Sequence, residues 1–179
     1  MQPTLVNNFI SSTEASELNA YLKSKSTMNP HNLLNVSLYP VNLNSYSDGQ
    51  KAHDLVEFIV NSVMDKFGIE NLEVDRAMYQ ILQKGDELGY HTDAYGGVDG
   101  YDETFYSALV YLTDDYEGGE ILFYNNEIED KDDAVAYKPN VGSLIYFKGD
   151  KNAPHSVNTV ISGERSNIIL FYKEKKDNK

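Results

Sequence analysis

A histidine and an aspartate lie one residue apart in the stretch GYHTDAYGG, which spans residues 89–97. His91 and Asp93 are residue types that bind divalent metals, and residues two apart in an extended strand point to the same side. The pair also fits a turn histidine next to a capping aspartate. The motif alone therefore does not distinguish a metal site from a turn, and the decision depends on ligands elsewhere in the chain.

A third side chain of suitable chemistry lies in NAPHSVNTVISGERSNIILFY, where His155 stands inside a predicted strand. Two histidines and one carboxylate that leave coordination positions open form the facial triad of non-haem Fe(II) oxygenases. Three protein ligands on one face of an octahedron leave room for a bidentate cosubstrate and dioxygen. A histidine whose hydrogen bonds are satisfied in an edge strand is the alternative interpretation of His155.

A basic residue follows at a fixed distance from this histidine. Arg165 lies ten residues after His155, and Arg76 is the only other arginine of the chain. The turn ISG at 161–163 allows both positions to lie on one face of adjacent strands. A guanidinium that faces inward is tolerated mainly when a carboxylate pairs with it, and a dicarboxylic acid cosubstrate would supply that carboxylate. A surface salt bridge with one of the many acidic residues is the alternative.

The composition limits the partners that this chemistry could serve. The net charge of −13 argues against a nucleic-acid or anionic membrane partner; it permits a basic or neutral substrate, or serves only solubility. The absence of cysteine excludes disulfides, zinc fingers and thiol catalysis. We expect a cytoplasmic protein, because neither a signal peptide nor an apolar run long enough to span a membrane is apparent.

The elements that must position these side chains begin with a helical part. Ser11 and Glu14 have the spacing of a capping box, and the apolar stripe after them predicts a helix to about Ser24. A second apolar stripe, with a glycine at its end, predicts a helix over 53–68. Between them, residues 26–49 are rich in asparagine, serine and proline and suggest short strand-like pieces in loops.

From about residue 73 the pattern changes to short β-type runs with turn residues between them. Their regular spacing predicts a mainly β fold with flanking helices, a sandwich or jelly-roll core packed by the N-terminal helices. We expect a single domain over 1–179, with helical support over about 1–72, the core over about 73–173 and a frayed tail at 174–179. The predicted strands are 4–10, 74–84, 105–113, 119–124, 134–138, 143–148, 154–161 and 165–173.

The order of these features resembles Fe(II)- and 2-oxoglutarate-dependent dioxygenases of the prolyl 4-hydroxylase type. LVNNFISSTEASEL, at 5–18, is similar to the strand and helix that open that family, and the resemblance extends over about residues 4–173. Its most specific part is the ligand set with a Gly-Gly-Glu stretch and a basic residue ten positions after the second histidine. In chain order the matching features are His91 with Asp93, YSALVYLTDDYEGGEILF at 106–123, PNVGSLIYF at 139–147, His155 and Arg165.

This resemblance implies a double-stranded β-helix, a jelly roll with a metal at its open end. It implies that His91, Asp93 and His155 bind Fe(II). It also implies that Arg165 binds the far carboxylate of 2-oxoglutarate, to which Tyr111 is hydrogen-bonded. The implied reaction consumes O2 and 2-oxoglutarate, releases succinate and CO2, and hydroxylates a C–H bond; ascorbate is an expected stimulant.

One stretch departs from the family pattern. Relatives usually carry a pocket tyrosine about nine residues before the first histidine, whereas Lys84 lies near that position here. The approach YQILQKGDELGYH, at 79–91, is a couple of residues shorter. Tyr79 and Tyr90 are therefore candidate replacements, and Gln80 is a candidate contact to 2-oxoglutarate.

The sequence indicates the substrate less closely than it indicates the reaction. The Gly-rich loop at 94–104 follows the first two ligands and is either a lid, with Tyr95 and Tyr101 as substrate contacts, or a flexible surface loop. The resemblance suggests a prolyl residue of a peptide or protein as substrate. A free amino acid or another small molecule is the alternative within the same reaction class, and a jelly-roll binding domain with a vestigial metal site is the non-enzymatic alternative.

Overall fold

The computed structural model of this chain describes residues 3–25, 31–33, 36–40, 50–93, 106–125, 130–150 and 152–175. Two helices, α1 (Ser12–Lys25) and α2 (Gln50–Phe67), stand before a long run of β-structure. The strands of the described residues are β1 (Thr4–Val6), β2 (His31–Leu33), β3 (Val36–Pro40), β4 (Leu72–Gln83), β5 (Leu88–His91), β6 (Tyr106–Tyr111), β7 (Glu117–Gly118), β8 (Ile121–Tyr124), β9 (Ala134–Tyr137), β10 (Leu144–Lys148), β11 (His155–Val157), β12 (Val160–Ser162) and β13 (Glu164–Glu174).

Both helices begin or end at the residues that their sequences predict. At the start of α1, the backbone N–H of Ser11 donates to Glu14 Oε2 at 2.8 Å, and the N–H of Glu14 donates to Ser11 Oγ at 3.2 Å. At the end of α2, Gly68 has φ +65°, and its N–H donates to the carbonyl of Met64 at 3.3 Å. Among the described residues, no helix is both long and apolar enough to cross a membrane.

The strands of the described residues form antiparallel sheets. A seven-stranded sheet has the order β1-β10-β6-β13-β4-β3-β2, and a four-stranded sheet has the order β5-β11-β8-β9. Strands β12 and β7 form a separate pair. This arrangement of two helices and antiparallel sheets confirms the predicted mainly β class with flanking helices.

Strand β6 of the seven-stranded sheet is buried on both faces. Ala108 and Val110 belong to an apolar cluster that includes residues of both helices, such as Ile59. Leu109 and Tyr111, which alternate with them, belong to a second cluster with residues of the four-stranded sheet. Since adjacent residues of a strand point to opposite faces, residues 108–111 of β6 read as a continuous apolar run and not as an alternating one.

Three differences from the predicted strands concern the region of the candidate ligands. Strand β5, which carries His91, was not among the predicted strands. The predicted strand 154–161 is two strands, β11 and β12, which lie in different sheets. The predicted strand 119–124 begins only at Ile121, because Gly119 has φ +66° and a strand does not pass through that conformation.

Candidate metal centre and buried arginine

Three potential metal ligands converge where β5 and β11 lie side by side. His91, the last residue of β5, is the Cα partner of His155, the first residue of β11. The Oδ1 atom of Asp93 lies 3.8 Å from His91 Nε2 and 3.7 Å from His155 Nε2. The candidate ligand atoms all lie within 4.8 Å of one another. The structure thus brings together the three residues that the sequence predicts as metal ligands.

Backbone carbonyl groups orient both imidazole rings. His91 Nδ1 lies 2.8 Å from the carbonyl oxygen of Gly89, and His155 Nδ1 lies 3.0 Å from that of Ala153. Because a carbonyl oxygen only accepts, each Nδ1 carries the proton and each Nε2 keeps a lone pair. Burial lowers the pKa of His91, and the charge of His155 lowers it further. Two imidazole nitrogens and one carboxylate are a donor set that fits Fe(II).

Aromatic rings enclose His155, whose side chain is almost fully buried. The ring of Phe123, on β8, stacks on the imidazole with centroids 5.4 Å apart. The ring of Phe147, on β10 of the larger sheet, meets it edge-on at 5.1 Å. His155 therefore lies between the two sheets, and its apolar surroundings keep water from its sides and hold the ring in place.

Arg165, the second residue of β13, is a cation with no exposed surface (0% exposed). Its Nη1 donates to Gln80 Oε1 at 3.1 Å and to Asn167 Oδ1 at 2.7 Å. Its Nη2 donates to the Tyr111 hydroxyl at 2.9 Å. Tyr111 belongs to the same apolar cluster as the phenylalanines that enclose His155, so the arginine and the histidine border one core.

Within the described part of the chain, every hydrogen-bond partner of the Arg165 guanidinium is electrically neutral. Among the described residues, no carboxylate forms an ion pair with it. Three buried donors of this neighbourhood, Arg165 Nε, Asn167 Nδ2 and the Tyr116 hydroxyl, have no hydrogen-bond partner within the described part of the chain. An unsatisfied buried donor costs about 1–3 kcal/mol. The group therefore lacks an anionic acceptor, and a carboxylate, whose two oxygens accept several hydrogen bonds, fits it.

Two glycine turns let Tyr116 pack closely against Arg165. A Cβ atom on Gly119 would lie 3.1 Å from Arg165 Cδ and 3.2 Å from Tyr116 Cε2. A Cβ atom on Gly163 would lie 2.4 Å from the carbonyl oxygen of Asp115 and 2.8 Å from Tyr116 Cα. Burial raises the pKa of Tyr116 to about 12, although the charge of Arg165 opposes the shift. The hydroxyl therefore keeps its proton at neutral pH and remains a donor.

The sequence-based assignment of Tyr79 to this pocket is wrong. Tyr79 belongs to the helix-side cluster, and its hydroxyl donates to Asn19 Oδ1 of α1 at 2.7 Å. Since neighbouring residues of a strand point to opposite faces, Gln80 and not Tyr79 reaches Arg165 from β4. The other candidate tyrosine, Tyr90, packs edge-on against Tyr124 with ring centroids 5.0 Å apart.

Some predicted site residues lie outside the described ranges, and some residues of the site were not predicted. Tyr95, Tyr101 and the candidate lid at 94–104 lie outside the described residues. Sequence reasoning did not find Asn167 or Tyr116 as members of the arginine cluster. The position of Asn167 two residues after an inward-facing arginine on a strand was a signal for the first, whereas nothing in the sequence distinguished Tyr116 from a core tyrosine.

A family model described as the 2OG-Fe(II) oxygenase superfamily matches residues 77–173, which are 97 of the 179 residues. The chain belongs to this superfamily. The matched region contains the three candidate metal ligands and Arg165. Fe(II) and 2-oxoglutarate, the cofactor and cosubstrate that the sequence predicts, are those of the 2OG-Fe(II) oxygenase superfamily.

Among curated proteins, the chain is similar to prolyl 3-hydroxylases of vertebrates. It is 39% identical to prolyl 3-hydroxylase 2 of Homo sapiens over 67 residues, which are 37% of this chain and 9% of that protein. It is 28% identical to prolyl 3-hydroxylase 2 of Gallus gallus over 141 residues, which are 71% of this chain and 20% of that protein. The chain thus spans a small part of the length of the curated relatives that it matches.

Solved structures share the fold over nearly the whole chain. A viral collagen prolyl hydroxylase of Paramecium bursaria Chlorella virus-1, in a 2OG complex, has a TM-score of 0.69 and 20% identity and covers 98% of this chain and 97% of that one. A prolyl hydroxylase of Trichoplax adhaerens, in complex with a hypoxia inducible factor peptide fragment, has a TM-score of 0.71 and 17% identity and covers 96% of this chain and 83% of that one. At these identities the likeness is one of fold.

Proposed function

We propose that this chain is an Fe(II)- and 2-oxoglutarate-dependent dioxygenase that hydroxylates a prolyl residue of a peptide or protein. The observation that carries the reaction class is the convergence of His91, Asp93 and His155, whose candidate ligand atoms lie within 4.8 Å of one another. Membership of the 2OG-Fe(II) oxygenase superfamily supports the same reaction class.

The protein side chains bind and position the reactants in this proposal. His91 and His155 offer Nε2 lone pairs and Asp93 offers a carboxylate oxygen to Fe(II). Bound iron supplies the chemistry that side chains lack, the activation of O2 coupled to decarboxylation of 2-oxoglutarate to succinate and CO2. The aromatic rings around His155 keep bulk water away from this side of the site.

Arg165 binds the far carboxylate of 2-oxoglutarate, with the Tyr111 hydroxyl as a second donor. The Tyr111 oxygen accepts a hydrogen bond from Arg165 Nη2, so its own proton is free to be donated to the carboxylate. The ligand completes a buried cation that has only neutral partners among the described residues. The neighbour solved in a 2OG complex supports this assignment at the level of the fold.

The support for a prolyl substrate comes from the names of the similar proteins. The curated relatives are prolyl 3-hydroxylases, and the two solved neighbours described above are a collagen prolyl hydroxylase and a prolyl hydroxylase bound to a peptide. These names favour a peptidyl proline over free proline. The curated relatives are named 3-hydroxylases, whereas the sequence resembles prolyl 4-hydroxylases. The ring carbon that is hydroxylated must therefore be identified chemically.

We further infer how the chain is organised into a domain and which β fold its core has. The chain forms a single domain with a double-stranded β-helix core over about 73–173, supported by α1 and α2. The apolar cluster that joins both helices to the seven-stranded sheet supports this inference. We propose that the loop at 94–104 covers the substrate, with Tyr95 and Tyr101 as contacts.

The test of the substrate assignment is an assay with proline-containing peptides, Fe(II), ascorbate and 2-oxoglutarate. We expect succinate formation in step with the gain of one oxygen atom by the peptide, and hydrolysis followed by chromatography will separate 3- from 4-hydroxyproline. Matched peptides with alanine in place of proline are the control. Turnover with free amino acids and none with peptides would contradict the prolyl-peptide substrate while leaving the reaction class intact.

A further inference from the structure

Four side chains form a row across the seven-stranded sheet at the level of His155. Phe147 on β10, whose ring contacts the His155 imidazole, is the Cα partner of Ser107 on β6. Ser107 is in turn the Cα partner of Phe171 on β13, and Phe171 is that of Arg76 on β4. Directly paired residues of neighbouring strands point to the same face. The row therefore runs from the candidate metal centre to Arg76.

This row lies on the inner face of the sheet, the face that also carries Arg165. Arg76 and Gln80 are four residues apart on β4, and Arg165 and Phe171 are six apart on β13. Residues an even number apart in a strand share a face, and Gln80 contacts Arg165 from β4. The two arginines of the chain thus face the same interior, one in the buried cluster described above and one at the end of the row.

Ring stacking holds the guanidinium of Arg76 above the row. Its Cζ lies 4.3 Å from the centroid of the Phe171 ring, and 47% of the side chain is exposed, so a ligand can reach it. Asp75 Oδ2 lies 3.6 Å from Arg76 Nη1 but accepts its hydrogen bond from Lys173 Nζ, at 2.9 Å. The contact between Arg76 and Asp75 is therefore a long ion pair, for which the carboxylate of a ligand can be exchanged.

The row has the length of a short peptide segment. Neighbouring strands are about 4.8 Å apart, so the three steps from β10 to β4 place the Cα atom of Arg76 about 14 Å from that of Phe147. Because the guanidinium leans over Phe171 on the adjacent strand, the charge lies about 10 Å from Phe147. Proline-rich peptides adopt the polyproline II conformation, which rises about 3.1 Å per residue. A group that meets Arg76 is therefore about two to four residues from a prolyl residue at the metal centre.

Building on the proposed function, we propose that Arg76 binds a carboxylate of the peptide substrate about two to four residues from the prolyl residue that is hydroxylated. The peptide crosses the inner face along the row, with the prolyl ring at the Phe147 end and the carboxylate at the Arg76 end. The net charge of −13 does not oppose this contact, because charges beyond about 8 Å are largely screened. The carboxylate belongs to an aspartate or glutamate side chain or to the C-terminus of the peptide, and Arg76 makes it a determinant of specificity.

The test compares matched peptides that are acetylated and amidated, so that they carry no terminal charges. Each contains one proline and either one glutamate or one glutamine, placed about two to four positions before or after it. Formation of hydroxyproline gives kcat/KM, and isothermal titration of the anaerobic protein loaded with Mn(II) and 2-oxoglutarate gives the dissociation constants. We expect the parent to prefer the best glutamate peptide over its glutamine match by about 5-fold in both measurements, and less in about 0.5 M salt.

Two variants of Arg76 separate recognition from general damage. Arg76→Gln should remove the preference, because an amide has no charge to attract the carboxylate. Arg76→Glu should reverse it, so that a peptide with lysine at the same position is preferred over the glutamate peptide by about 5-fold. A merely structural role of Arg76 would weaken all the peptides alike and leave their order unchanged. The control Lys66→Gln removes one positive charge from an exposed position of α2 and should keep the preference of the parent.

A further peptide identifies the source of the carboxylate. It carries glutamine and ends in a free α-carboxylate about two to four residues after the proline, and a preference for it that Arg76→Gln removes assigns Arg76 to the peptide C-terminus. A parent that hydroxylates all these peptides equally overturns the inference and leaves the proposed function intact, as does a preference that Arg76→Gln retains. A parent that hydroxylates no prolyl peptide contradicts the proposed function, and the inference falls with it.

Discussion

His91 and His155 face each other across paired strands, with ring centroids 4.2 Å apart and each Nδ1 directed at the carbonyl oxygen two residues earlier in the chain. Both contacts use main-chain carbonyl groups, so the backbone sets the direction of each Nδ1 atom, and aromatic side chains also hold the His155 ring. Both Nε2 atoms lie within 4 Å of the Asp93 carboxylate. The site is therefore preorganised for a metal by the sheet itself.

The charge of Asp93 should dominate metal affinity. Asp93→Asn keeps the size of the side chain and removes the only anionic ligand of the group, so we expect metal affinity at least about 100-fold weaker. Anaerobic isothermal titration with Mn(II) measures it. Asp65→Asn, at an exposed position of α2, is the control and should bind as the parent does. Equal affinities for the parent and Asp93→Asn would exclude Asp93 as a ligand.

2-Oxoglutarate should stabilise the fold through Arg165. At about 100 times the dissociation constant, a ligand adds about 2.7 kcal/mol to the free energy of unfolding. For a chain of this size the melting temperature should rise by about 5–10 °C. Arg165→Met should abolish the rise, and Tyr111→Phe should reduce it, because each removes a donor to the far carboxylate. A full rise in Arg165→Met would place the cosubstrate elsewhere.

The sequence predicted which three side chains converge as candidate metal ligands, because their signal is local and chemical. His91 ends a strand and Asp93 follows it two residues later, so both lie at the same strand end, and Arg165 is recognised by its spacing of ten residues from His155. Both features survive errors of a residue or two in the strand boundaries. This is why the predicted ligands converge even though β5 was not predicted and the strand at 154–161 is divided.

The pocket around Arg165 was harder to predict because it depends on strand register. A shift of one residue moves every side chain of a strand to the opposite face, and sequence alone did not determine which of Tyr79 and Gln80 faces inward. Tyr116 reaches the arginine from a separate segment that only tertiary packing brings close, whereas Asn167 lies two residues away on the same strand. Both residues also carry a buried donor without an acceptor among the described residues, and no sequence pattern indicates such a donor.

Gly163 should be far less tolerant of substitution than another glycine of similar backbone conformation. Its Cβ would lie 2.4 Å from the carbonyl oxygen of Asp115, whereas a Cβ on Gly68, with φ +65°, would contact nothing within 4 Å. Gly68→Ala should therefore cost about 1–2 kcal/mol for its backbone conformation alone. Gly163→Ala should cost more than about 3 kcal/mol, because the backbone must also move. Chemical denaturation compares the two, and equal costs would contradict the close packing at Gly163.

The capping box of α1 should give stability that depends on pH. Contacts to Ser11 lower the pKa of Glu14 from its ordinary value of 4.5. A lowered pKa means that the contribution is fully present above pH 4.5 and is lost as the pH falls through the lowered value. Glu14→Gln should reduce the free energy of unfolding at pH 7 by about 0.5 kcal/mol and make little difference at low pH.

Urea denaturation at several pH values measures this difference. Glu70→Gln, at an exposed glutamate outside the capping box, is the control and should show no such dependence. A difference between the parent and Glu14→Gln that persists unchanged at low pH would show that the charge of Glu14 is not what stabilises the helix start.

The central claim is that His91, Asp93 and His155 hold one Fe(II) ion to which 2-oxoglutarate binds. The most direct measurement is an anaerobic titration of Fe(II) into the protein with 2-oxoglutarate present, followed by the visible charge-transfer absorption of an Fe(II)–2-oxo acid chelate. We predict that this absorption appears, saturates at one iron per chain and is lost in His155→Ala and Asp93→Asn. No saturable absorption in the parent, or the same absorption in both variants, would contradict the claim.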